Sequence, residues 1–191
     1  MRFEDGTVMR LYRQTIEDFG LYSGKELSGE DMKKLRDAAG AMSAKMRAVR
    51  IVAATNVSKG DLQQRLIRKG EDPQQARDAI AWMEDLNLID DKVTAEQIVR
   101  KCIHKGYGIA RAKQALFEKR IPKEYWDLVL EDYPDQNQKI VDFLQVKLQD
   151  GYDEKDLRRA IDALLRRGHS YAQIRKGLEQ LSFDAEDLRE E

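Results

Sequence analysis

Two histidines, one cysteine and a pair of adjacent aspartates are the residues through which an enzyme or a metal centre would first declare itself in this chain. His104 and His169 each stand close to a glycine, His104 two residues before Gly106 and His169 directly after Gly168. Both read as cations at helix C-termini, where the negative end of the helix dipole favours them. Cys102 has no second cysteine to pair with, which excludes an internal disulfide and a cysteine-based zinc site. It reads as a core thiol. Asp90 and Asp91 are neighbours whose carboxylates point in different directions and offer no spaced ligand set, so helix capping by Asp91 accounts for them. Gly106-Tyr107-Gly108 lacks the remainder of a dinucleotide or phosphate loop and follows no strand pattern; it reads as a turn linking two helices. No nucleophile–base pair, metal cluster or cofactor loop emerges, so the expectation is a protein that is not an enzyme, with no catalytic, cofactor-binding or metal-ligating residue and no cofactor.

Positive charge is the more informative chemistry. Net charge is −1, so attraction to an acidic partner must come from local patches. The stretch from Ile98 to Pro122 holds seven basic residues against one acid, Glu118. Three matched pairs mark the ends of apolar-periodic runs: Arg68 and Lys69, Lys119 and Arg120, Arg166 and Arg167. Helix dipoles alone favour basic residues at such ends. Their recurrence, together with Arg100, Lys101, Lys105, Arg111 and Lys113 in the middle, predicts a contact surface for phosphates or an acidic protein. Arg158, Arg159, Arg175 and Lys176 extend the same character. Aromatic residues do not interleave with the stripe as a base-stacking platform needs; Trp82, Trp126 and Tyr133 fall in or beside apolar columns and read as core.

The elements that must carry these residues are helices. At 41% hydrophobic and 36% charged, the chain is too apolar for disorder and suits amphipathic helices. Its start alternates weakly around Asp5-Gly6, a short hairpin signal that pairs elsewhere or belongs to a chain whose natural start lies upstream. Arg13 to Phe19 can form a helical turn or two, and Ser28 caps a helix carrying Met32, Leu35 and Ala39. Ala38 to Ala54 is helical too, with Met42, Met46, Val49 and Ala53 as its apolar column. Ser58, Asp72, Asp135, Asp153 and Ser170 are cap residues, Pro73 fits a first helical turn, and Pro122 starts another helix. Gly70, Gly106, Gly151 and Gly168 suit helix C-termini. Aligning Leu66 to Gly70 with Leu116 to Arg120 and Leu164 to Gly168 brings three further columns into register: Ala76, Trp126 and Ile174; Ile80, Leu130 and Leu178; Met83, Tyr133 and Leu181. The prediction is an all-α fold of tandem three-helix repeats in an elongated curved array, behind a short hairpin-like or irregular N-terminal leader. The boundaries follow as leader 1–40, then repeats 41–90, 91–134 and 135–191 with the C-terminal tail.

Leu86-Asn87-Leu88-Ile89-Asp90-Asp91, Gly106-Tyr107-Gly108-Ile109-Ala110-Arg111 and Leu164-Leu165-Arg166-Arg167-Gly168-His169-Ser170-Tyr171, in that order, resemble the RecX family of bacterial regulators of the RecA recombinase. The resemblance runs from about Ala48 to Leu181. It departs from the family pattern at Ala54-Thr55-Asn56-Val57, at Val93-Thr94-Ala95 and at His169. It implies a non-enzymatic modulator lying in the groove of the RecA–single-stranded DNA filament, lowering ATP hydrolysis, strand exchange and filament growth. RecA is then the partner of the basic set Arg68, Lys69, Arg100, Lys101, Lys105, Arg111, Lys113, Lys119, Arg120, Arg166 and Arg167, with direct contact to single-stranded DNA left open. A monomer in the cytoplasm is expected, with no membrane association: no apolar run approaches the roughly 20 residues of a bilayer span, and no signal pattern opens the chain. Two rivals stay open, a helical module that binds nucleic acid without a recombinase and a purely structural helical scaffold.

Overall fold

The computed structural model describes residues 1–4, 6–148 and 152–187, with side chains to residue 181. Asp5 of the hairpin signal and Gly151 lie outside the described residues. The chain divides into two compact units, Met1–Asp90 and Asp91–Glu191. Among the described residues the regular elements are helical, and the only β pairing is an isolated antiparallel bridge between Arg2 and Val8. This is an all-α chain.

In the first unit the leader turns back on itself: the Phe3 N–H donates to the Thr7 carbonyl at 2.9 Å, and Gly6 supplies the positive φ of +83° that the turn needs. A short helix, α1 (Arg13–Asp18), follows. The next helix, α2 (Gly29–Ala54), is 26 residues long and opens on Ser28, whose side chain accepts the Asp31 N–H at 3.0 Å. Gly40 does not break it. The absent side chain there leaves room for the Gln75 amide, and the helix capped by Ser28 and the segment from Ala38 to Ala54 are one continuous element. Its buried seam is Leu35, Ala44 and Ala48, while Met42, Met46 and Val49 flank it half-buried and Ala53 is exposed. The expected methionine column is thus displaced, because small alanines let α2 lie close on α4 and the larger side chains fill the margins. Two shorter helices complete the unit. Ser58 caps α3 (Lys59–Arg68), and Asp72 caps α4 (Pro73–Asp85) by accepting the N–H groups of Gln74 and Gln75. Leu62, Leu66, Ala76 and Met83 fill the core at 0–1% exposure, each large side chain contributing about 1.5–3 kcal/mol of burial.

The second unit holds two three-helix repeats, each with its own cluster. The first is α5 (Asp91–His104), α6 (Ile109–Glu118) and a 3-10 turn (Lys123–Tyr125) running into α7 (Trp126–Leu130). Helix α5 begins at Asp91 itself, one residue earlier than a cap at Asp91 implies, and the Asp91 side chain is buried. The third helix of this repeat is the short one. Pro122 heads the 3-10 turn, not a regular helix, and Pro134 disfavours helical backbone at Tyr133. The Trp126 indole N–H donates to the Ile121 carbonyl at 3.1 Å, which fixes the turn against the core of Ala112, Leu116 and Leu130. The final repeat is α8 (Asn137–Lys147), α9 (Glu154–Arg166) and α10 (Tyr171–Asp187), around Ile140, Leu144, Leu164 and Ile174. Asp135 accepts the Asn137 N–H but stands one residue before the cap position, which Gln136 holds; Asp153 accepts the Asp156 N–H as a cap, and Ser170 with Gln173 makes a reciprocal capping box.

Candidate interaction surface

The second helix of each repeat ends in one hydrogen-bonding pattern. Glu71 N–H donates to the Leu66 carbonyl and Gly70 N–H to that of Ile67; Ile121 and Arg120 do the same to Leu116 and Phe117; His169 and Gly168 to Leu164 and Leu165. This Schellman arrangement needs a left-handed residue at its pivot. Gly70 and Gly168 supply it at φ +87° and +86°, whereas the middle repeat uses Arg120 at +54°. The pivot places Arg68 and Lys69, and Arg166 and Arg167, as the last helical residue and the cap of α3 and α9. On α6 the equivalent places hold Glu118 and Lys119.

Arg68, Lys69, Arg100, Lys101, Lys105, Lys113, Arg120 and Arg166 are exposed, while Arg111, Lys119 and Arg167 are half-buried. Several of the predicted contact residues have local work. Arg111 pairs with Glu118 at 3.0 Å, and the Gln114 amide donates to the same carboxylate. The Arg167 guanidinium lies 4.4 Å from the centre of the Phe143 ring, and the Lys105 ammonium 5.9 Å from that of Tyr107. The Lys69 carbonyl accepts from Arg47, whose Nε pairs at 2.8 Å with the buried Glu71 carboxylate. Arg68, Arg100, Lys101, Lys113, Arg120 and Arg166 make no ion pair among the described residues. Arg158, Arg159 and Arg175 are each matched by an acid on their own helix, Glu154, Asp156 and Glu179, and add little free positive charge.

Gly106-Tyr107-Gly108 has a packing role. The Gly108 N–H donates to the Arg167 carbonyl at 2.9 Å, and a Cβ on Gly108 would overlap the Gly168 carbonyl oxygen, so the two turns meet backbone to backbone. His169 fills this junction at 4% exposure, its Nε2 3.0 Å from the Gly106 carbonyl oxygen and its Nδ1 buried without a partner. The expected helix-end cation is therefore a buried imidazole. Desolvation holds its pKa below the usual histidine value, the Gly106 hydrogen bond opposes that, and the Arg167 charge adds to it. His104 does end α5 exposed, as expected. Cys102 is a buried thiol pushed up by desolvation, against the Arg111 and Lys105 charges. Tyr133 donates its hydroxyl to the Tyr107 carbonyl at 2.6 Å, and burial, with a smaller contribution from Cys102, pushes its phenol up to about 12. Among the described residues no cluster of His, Cys, Asp and Glu side chains is arranged to hold a metal ion, and no helix is long and apolar enough to cross a membrane.

One surface residue was hidden by the column alignment. Phe117 matches Ile67 and Leu165, which pack half-buried against their clusters, yet Phe117 is 70% exposed. The signal for it lay in the helix period: Lys113 and Gln114, four and three residues before Phe117, are polar, which puts all three on one wet face.

No family model matches the chain. Its sequence is 28% identical over 149 residues to the regulatory protein RecX of Vibrio campbellii, covering 76% of this chain and 94% of that one. It is 32% identical over 96 residues to the regulatory protein RecX of Halorhodospira halophila, covering 49% of this chain and 60% of that one. The fold superimposes on a crystal structure of regulatory protein RecX with a TM-score of 0.69 at 17% identity, over 93% of this chain and 92% of the other. The chain is RecX-like in sequence and in fold. RecX from Lactobacillus salivarius agrees, with a TM-score of 0.63 at 22% identity over 76% of this chain and 99% of that structure. The resemblance carried by the three sequence motifs is thereby supported across most of the chain.

Proposed function

We propose that the chain is a non-enzymatic regulator of homologous recombination and DNA repair that binds the RecA–single-stranded DNA filament and restrains its ATPase, strand exchange and growth. Likeness to proteins named as RecX regulators, over 149 residues of sequence, carries this reading. The chemistry supports it from below. Repeated Schellman ends present Arg68, Arg120 and Arg166 to solvent on a chain that is close to neutral overall, so the attraction is local and suited to acidic protein surface or phosphate. The protein acts as a monomer in the cytoplasm, where the filament assembles.

The decisive measurement is the DNA-dependent ATPase of a bacterial RecA with this protein in molar excess at low salt. A fall in ATPase that weakens as salt rises is expected. An unchanged ATPase sinks the proposal, and tight gel shifts of DNA alone alongside it would favour a nucleic-acid-binding module that needs no recombinase.

A further inference from the structure

The middle repeat breaks the pattern of its neighbours twice within four residues, and both departures are locally unfavourable. Arg120 takes the left-handed pivot that Gly70 and Gly168 occupy elsewhere, a backbone conformation that side chains rarely adopt. Phe117, one turn earlier, leaves its ring 70% exposed, while its counterparts Ile67 and Leu165 pack against their own clusters. Lys113 lies four residues before Phe117 on the same face of α6, and neither Lys113 nor Arg120 has an ion-pair partner among the described residues. Glu118, the stretch's one acid, is held by Arg111 and Gln114. An exposed aromatic ring remains, with Lys113 four residues before it and Arg120 three residues after it, neither in an ion pair among the described residues.

We infer that Phe117 is the anchor of a protein–protein contact on the outer face of α6, its ring entering an apolar recess in an acidic surface of the recombinase while Lys113 and Arg120 meet the carboxylates around it. The inference rests on the regulator reading. Charge complementarity selects an acidic partner, and the single ring selects protein over nucleic acid. Interface hot spots form around one buried aromatic with a neighbouring arginine. A strand of bases needs successive rings to stack on, and the other exposed positions of α6 are Ile109, Ala110, Lys113, Gln114 and Glu118, none of them aromatic.

The test titrates labelled, preassembled recombinase filament with the wild-type chain, Phe117→Ala and Phe117→Gln at several salt concentrations, and titrates a labelled oligothymidylate alone in parallel. Both variants should keep the wild-type unfolding midpoint. They should bind filament at least about tenfold more weakly with an unchanged salt slope, because the lost group is uncharged. Oligonucleotide binding should not move. Variants that bind filament within twofold of wild type overturn the anchor while leaving the regulator reading in place. A wild-type chain that ignores the filament overturns both. A parallel loss of affinity for the oligonucleotide alone assigns the ring to a base and overturns the protein contact.

Discussion

Arg120 and His169 stand at adjacent positions of two equivalent C-terminal turns, the pivot of one and the residue after the pivot of the other, and each holds a state that its residue type resists. For Arg120 the resistance is conformational: a non-glycine side chain at φ +54° stands about 1 kcal/mol above its usual backbone minimum. Arg120→Gly should therefore stabilise the chain by about 1 kcal/mol in urea unfolding while weakening filament binding. A stability gain with undiminished binding would show that the arginine is no contact. For His169 the resistance is electrostatic. Its folded pKa lies below the unfolded value, so at neutral pH both states carry a neutral ring and the burial is tolerated. As pH falls below about 6.5 the unfolded chain takes up the proton and the folded one does not, so stability drops on the acid side. Thermal unfolding from pH 8 to 5 should show this loss, and His169→Phe should flatten it. An equal slope in the two proteins would place the acid sensitivity elsewhere.

At the level of elements, most of the caps, the helix-ending glycines Gly70, Gly106 and Gly168 and the three apolar columns were legible in the sequence, because each is a local device with a fixed spacing. Ser58, Asp72, Asp153 and Ser170 make the cap bonds that their positions predict. What was not legible depends on contacts distant in sequence. Nothing near Gly40 announces that Gln75 will fill its place, and nothing near His169 announces Gly106, 63 residues away, as its partner. The alanine seam of α2 escaped for a related reason: periodicity finds a face, but close packing chooses which small residues sit at its centre. The junction of the two turns yields the prediction for this scale. Gly108→Ala puts a methyl group into the Gly168 carbonyl, and since both sides of the contact are backbone, neither can swing away. Destabilisation of about 1–3 kcal/mol is expected by analogy with an overpacked core, read as a lower urea midpoint. Gly70→Ala has open space around its Cβ and should incur only the strain of its positive φ. Equal effects of the two substitutions would remove the backbone contact from the account.

The molecule as a whole carries almost no net charge, so the filament binding proposed for it depends on where its cations are left unneutralised. Sequence showed thirty-four basic residues without showing which are already engaged; the fold separates them. Arg111, Arg158, Arg159 and Arg175 answer acids of their own helices, whereas Arg68 and Arg166 end α3 and α9 exposed, without an ion pair among the described residues. Removing the charge from these two should leave folding within about 0.5 kcal/mol, since neither side chain makes an ion pair among the described residues. The double substitution Arg68→Gln, Arg166→Gln should weaken filament binding most at low salt and make the dependence of log K on log salt shallower. The change in slope approaches about two if both side chains displace counterions from phosphate, and is smaller if they meet carboxylates. The pair Arg158→Gln, Arg175→Gln carries the same formal change at neutralised sites and should leave the slope nearly intact. If both pairs shift it alike, binding follows bulk charge and the helix ends lose their claim to the contact.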